Sequence, residues 1–111
     1  MIRILTPALA CAATMALAQG DDLIPITYLC ERGVEIPVVF VSPDDGESYA
    51  VARIDGKLLG MRQVVSASGA RYRSGDGADA YQLWSKGNGA MISFGADGQD
   101  QTLFQDCQAR E

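Results

Sequence analysis

Two residues of this 111-residue chain stand where their chemistry can be used. Ser68 opens "SGARY" (Ser68 to Tyr72), and Lys86 lies in "YQLWSKGNG" (Tyr81 to Gly89). Each is followed by a glycine, Gly69 and Gly87. Glycine supplies the backbone freedom of tight turns, so both stretches read as loops that hold out one small functional side chain. A hydroxyl donates and accepts hydrogen bonds, whereas an ammonium is a cation with three donors and no acceptor. Together they suit either a Ser–Lys nucleophilic dyad or the binding of a partner's acidic groups. Each alone is also an ordinary turn residue.

The catalytic option fails on chemical grounds. A Ser–Lys dyad needs a desolvated lysine and an oxyanion hole beside the serine, but Lys86 precedes "GNG", a turn open to water. The chain contains no histidine, which removes Ser–His and Cys–His sites and the commonest metal ligand. The acid pairs Asp21-Asp22 and Asp44-Asp45 lie in polar, turn-like segments. Nothing isolates two carboxylates in the apolar setting that a glycosidase requires. "SPDDGE" (Ser42 to Glu47) lacks the alternating ligand spacing of a calcium loop. The expectation is a non-enzyme without metal or cofactor.

The elements that must position these loops are short strands. Runs of alternating or β-branched residues cover 26–32, 34–41, 48–54, 57–66, 69–73, 79–85, 89–94 and 101–107. They are separated by hairpin chemistry such as "DG", "SGDG", "KGNG" and "GADGQD". No 3.6-residue apolar stripe occurs past the first 18 residues. Val34, Ile36, Val38 and Phe40 alternate as an inward face, while Pro37 lacks a ladder donor and belongs at an edge or bulge. Gly60 suggests a bend or bulge in the fourth run. The fold predicted is all-β, one domain over 26–111: a small antiparallel β-barrel of eight strands, favoured over a sandwich.

The first 18 residues read as a signal peptide. Arg3, an apolar run from Ile4 to Leu17 and the small-residue site Ala16-Leu17-Ala18 give the three regions of an export signal, too short to remain as a membrane span. "ALAC" offers a lipid anchor at Cys11 as the alternative, but it would leave only a ten-residue signal with Ala8 in place of the usual leucine. Periplasmic export is the preferred reading, with residues 19–25 as a flexible leader. Removing residues 1–18 takes Arg3 and no acid, so 8 Lys+Arg face 14 Asp+Glu, a net charge of −6. That argues against nucleic acid and anionic lipid and favours a basic partner at long range, with plain solubility as the alternative. Two cysteines then remain, Cys30 and Cys107, and in an oxidising compartment they are expected to pair. The bridge would close a loop of about 78 residues and contribute roughly 4–5 kcal/mol in the chain-entropy model.

"SGARY" and "YQLWSKG" resemble the two signatures of the bacterial membrane-bound and periplasmic inhibitors of c-type lysozyme, S-G-x-x-Y and Y-x-x-x-K-G. The second is displaced: Tyr81 stands five residues before Lys86, and the position four before it is Gln82. The resemblance extends over residues 26–107 and includes "YLC" (Tyr28 to Cys30) and the C-terminal cysteine. It implies an eight-stranded barrel, a Cys30–Cys107 bridge and the blocking of host lysozyme, with Ser68 and Lys86 reaching the enzyme's catalytic carboxylates. It further implies that Tyr72 shapes the first loop and that Gly69 and Gly87 permit the turns. For Tyr72, Tyr81 and Trp84 a core position is the alternative to partner contact, and Arg71 and Arg73 are either partner contacts or a solvated strand face. The rival function is a small periplasmic β-barrel that binds a small ligand in its interior.

Overall fold

The computed structural model describes residues 22–44 and 46–110. The signal segment, the lipidation alternative at Cys11 and leader residues 19–21 lie outside the described residues. Eight strands follow in chain order: β1 Leu23–Leu29, β2 Glu35–Val41, β3 Tyr49–Ile54, β4 Lys57–Val64, β5 Ala70–Arg73, β6 Tyr81–Lys86, β7 Gly89–Phe94 and β8 Gln101–Arg110. Each pairs antiparallel with the next, and β8 pairs back onto β1, closing the barrel. A short 3-10 turn at Glu31–Gly33 links β1 to β2.

Alternation drives this closure. Ile36 and Val38 of β2, Ala50, Ala52 and Ile54 of β3, Leu83 of β6 and Ile92 of β7 are all buried in one cluster with Tyr28, Tyr72 and Tyr81. Small alanines on β3 sit in the same core as aromatic rings on β1, β5 and β6, so the interior is filled by side chains. The Phe40 and Tyr72 rings lie 5.4 Å apart. Such packing argues against a ligand held inside.

Three details depart from the sequence expectations. First, β1 begins at Leu23, so Leu23, Ile24 and Pro25 are paired with Val41, Phe40 and Val39 instead of forming a loose leader. Their side chains are exposed, which is why no alternation marks them. Second, Gly60 makes no bulge: Val51 faces Gly60 in an unbroken β3–β4 register. The irregularities fall on β8, where the β7 register slips between Ala90 and Ser93 and Asp106 takes φ 57. Each slip spends one extra β8 residue, which bends that long strand around the barrel. Third, β2 is paired on both sides and is not an edge strand, and Pro37 sits where only one of its two ladders has begun. It pairs with Thr27 on β1, and the β2–β3 ladder starts one residue later at Val38–Ala52, so the missing donor costs no bond.

Candidate functional site

The β5–β6 ladder runs from Arg73–Gln82 to Ala70–Ser85. One more step along the same register sets Gly69 opposite Lys86. The two loops therefore meet at one end of the barrel. Gly69 has φ 63, and a Cβ there would lie 2.5 Å from both Lys86 Cγ and the Ser85 carbonyl oxygen. The first loop thus rests directly on the stem of the lysine. Only glycine satisfies both the dihedral and the contact. Gly69→Ala is expected to destabilise the protein by about 1–3 kcal/mol, read from denaturant melts, because backbone strain and overlap act together.

Lys86 ends β6, and Gly87-Asn88 forms the two-residue turn to Gly89. Gly87, at φ 56, occupies the first central position, where a hairpin turn demands a positive φ. Ser68, Gly69, Lys86 and Gly87 are all exposed. The Ser68 carbonyl accepts a hydrogen bond from Trp84 Nε1 at 2.9 Å and another from the Ser66 hydroxyl. Among the described residues, Ser68 Oγ and Lys86 Nζ have no hydrogen-bond partner, and Nζ lies 4.7 Å from the Trp84 ring centroid. A hydroxyl and an ammonium thus stand on two touching loops, neither committed to a hydrogen bond. Two grooves flank them. One of about 460 Å³ runs past Ser66, Gly69 and Glu47, and one of about 320 Å³ past Trp84, Met91 and Asp106.

Tyr72 does not join this protruding group. It is buried in the barrel beneath the loop, so it anchors β5 and has no free face for a partner. Burial raises its phenol pKa, as it does for Tyr28, whose hydroxyl also bonds Ser85. The stabilisation from keeping these phenols neutral holds below about pH 10 and is lost as the pH rises through the raised values. Tyr81 is buried too, its ring edge-on to Phe94 at 4.8 Å, and its hydroxyl lies 3.3 Å from Asp55. Its displacement from the family pattern therefore leaves the protruding loops untouched.

Arg71 and Arg73 do not form a solvated strand face. Both lie on the outer face beside Gln82 and Trp84, their partners in register, under the β7–β8 loop. Arg73 is only 4% exposed and donates to Gln82 Oε1 and to the Gly75 and Gly95 carbonyls. Arg71 donates to the Val65 carbonyl, Gln82 Oε1 and Asp97 Oδ1. The Gln82 amide passes the network on to Ser93 and Asp100. Asp97 is held below the usual carboxylate range by the Arg71 hydrogen bond, so this pairing persists at mildly acidic pH and is lost only as pH falls through that lowered value. The cross-strand pairing of two arginines with Gln82 and Trp84 was the signal for this cluster, visible only once the register is known.

Residues 28–101 match the family model described as the membrane-bound lysozyme-inhibitor of c-type lysozyme. The chain belongs to that family. A membrane-bound lysozyme inhibitor of C-type lysozyme from Cupriavidus necator is 39% identical over 85 residues, covering 70% of this chain and 64% of the relative. The Pseudomonas aeruginosa protein of the same name is 30% identical over 89 residues, covering 80% and 67%. The chain thus spans about two thirds of these relatives' length. Among solved structures, the periplasmic lysozyme inhibitor of C-type lysozyme from Salmonella typhimurium superposes with a TM-score of 0.69 at 26% identity, covering 80% of this chain and 99% of that one. The Adhesin Complex Protein from Neisseria meningitidis, at 22% identity and a TM-score of 0.52, shares the fold. The family is named for inhibition and not for a reaction, and Ser68 and Lys86 both lie within the matched residues.

Proposed function

We propose that this chain is an exported inhibitor of c-type lysozyme that seats the Ser68 and Lys86 loops in the enzyme's cleft. One observation carries the reading: Gly69 lies on the Lys86 stem, so a free hydroxyl and a free ammonium form a single protrusion. A retaining glycosidase such as lysozyme holds two carboxyl groups about 5–5.5 Å apart, one protonated and one ionised. The ammonium pairs with the ionised group. The hydroxyl accepts from, or donates to, the other, whichever state it is in. Inside a cleft that excludes water, such charge-assisted bonds count most. The acidic surface speeds encounter with a basic lysozyme.

The test is protection of a bacterial wall suspension from lysis by lysozymes of the c, g and i types. Protection confined to the c type supports the reading, and no protection against any of them removes it. Export is checked by intact mass. Material from the periplasm is expected to begin near Gln19, and a diacylglyceryl group on Cys11 would replace the soluble reading with a lipid-anchored one.

A further inference from the structure

The two prongs are held in different ways. Lys86 ends a strand and enters a two-residue turn, so its backbone is fixed by the β6–β7 ladder up to the Lys86–Gly89 pair. The Ser68 loop has no such support. The β4–β5 ladder stops at Val64–Arg71, leaving residues 65–69 outside it, and Val65 is 89% exposed. Something else must hold Ser68 over Lys86.

We propose that Arg71 is the positioning residue that clamps the Ser68 loop into its binding conformation. The Arg71 guanidinium grips the start of the loop, donating to the Val65 carbonyl from Nε at 3.2 Å and Nη2 at 2.7 Å. Its third nitrogen, Nη1, donates to Gln82 Oε1 at 2.8 Å and Asp97 Oδ1 at 2.9 Å, which fixes the fork on the barrel wall and on the β7–β8 loop. The same guanidinium lies 5.8 Å from the Trp84 ring centroid. Trp84 in turn donates to the Ser68 carbonyl and so holds the other end of the loop. One planar cation therefore grips one end of a five-residue loop that the sheet does not hold, and it lies against the ring that grips the other. All three of its nitrogens are occupied and its side chain is only 18% exposed, so it acts through Ser68 and does not reach a partner itself. A lysine cannot replace it, because a single ammonium lacks the fork that spans these acceptors.

This inference rests on the reading of Ser68 as a lysozyme contact, and the experiment separates the two. Inhibition of a c-type lysozyme is measured for wild type, Arg71→Met, Ser68→Ala and the double variant, with Arg71→Lys alongside. If the clamp keeps the loop competent, its loss lowers the competent fraction and weakens apparent affinity in proportion. Arg71→Met is expected to weaken inhibition about tenfold in wild type, but only about twofold in the Ser68→Ala background, where no hydroxyl remains to misplace. Arg71→Lys is expected to fall between wild type and Arg71→Met, and it carries the test if the Met variant does not fold. Backbone 15N relaxation of the free protein is the second readout: Arg71→Met, or Arg71→Lys in its place, mobilises Ser66–Gly69 and leaves Leu83 and Ile92 unchanged. An equal loss in both backgrounds would make Arg71 a direct contact and overturn the clamp. Unchanged inhibition by the Arg71 variants, where Ser68→Ala is weakened, would also overturn it. If Ser68→Ala itself inhibits like wild type, the contact reading fails instead, and relaxation of residues 66–69 alone decides whether Arg71 clamps them.

Discussion

Lys86→Ala is expected to weaken binding to a c-type lysozyme by about 2–5 kcal/mol, roughly 30-fold to several thousand-fold. The magnitude follows from what is left behind. Without the ammonium, an ionised carboxylate of the enzyme stays buried in the cleft and loses its counter-charge, which costs more than an ordinary hydrogen bond. Ser68→Ala is expected to cost less, about 1–3 kcal/mol, the usual penalty for leaving a buried polar group unsatisfied. Because the Lys86 stem also supports Gly69, Lys86→Met is the sharper variant: it keeps the apolar chain and removes only the charge. Met and Ala are expected to lose nearly equal affinity, which would assign the loss to charge and not to the packing of the loop. Both residues are exposed and the Lys86 ammonium makes only a ring contact, so the melting temperatures of Ser68→Ala and Lys86→Met should hardly move. Added salt should slow association of wild type and Ser68→Ala alike, since steering comes from the whole acidic surface. If all three variants inhibit like wild type, the two loops are turns and nothing more. If they melt early, the residues are structural and the mechanism falls for that reason.

How much of this was legible before the structure depends on whether the physics was local. Strand number and hairpin positions were, because period-two alternation and turn residues act over a few positions: Val38 alternates with exposed Pro37, and "GN" closes a two-residue turn. The Ser68 and Lys86 loops were legible for the same reason. The start of β1 was not, because exposed Leu23 and Ile24 carry no pattern of their own and become a strand only by pairing with Phe40 and Val41. The bulges of β8 were assigned to the wrong place, since glycine usually marks such sites. Here an aspartate, Asp106, takes the left-handed conformation that short polar side chains tolerate. The arginine network lay furthest out of reach. Arg71 and Asp97 are 26 residues apart, and their contact depends on how the β7–β8 loop folds back over the sheet.

Removing the bridge, as Cys30→Ser with Cys107→Ser, is expected to cost about 4–5 kcal/mol of stability, a large share of what a domain this small possesses. The predicted bridge is present, with a sequence separation of 77 residues. Chain entropy sets that magnitude, and the position of the bridge sets how the loss will show itself. The barrel closes along the β1–β8 seam, which has three paired positions, Thr27–Arg110, Tyr28–Ala109 and Leu29–Gln108, against seven between β1 and β2. Cys30 and Cys107 are the next pair on that register, so the disulfide is a covalent fourth rung on one of the two shortest seams, the other being β4–β5. Without it β8 should open first, and hydrogen exchange should quicken at β8 amides before it does so in β3 or β4. The consequence reaches the candidate site, because Ala109 N donates to the Asn88 carbonyl at 2.7 Å and Gly89 pairs with Gln108. The hairpin that carries Lys86 therefore leans on the strand that the bridge retains. Reduced or doubly substituted protein should lose stability markedly and also inhibit more weakly at temperatures where it is still folded. An opened seam additionally exposes two strand edges, so association of such material at high concentration is the further expected sign. Unchanged melts and unchanged β8 exchange after full reduction would show that the three backbone rungs close the barrel without help.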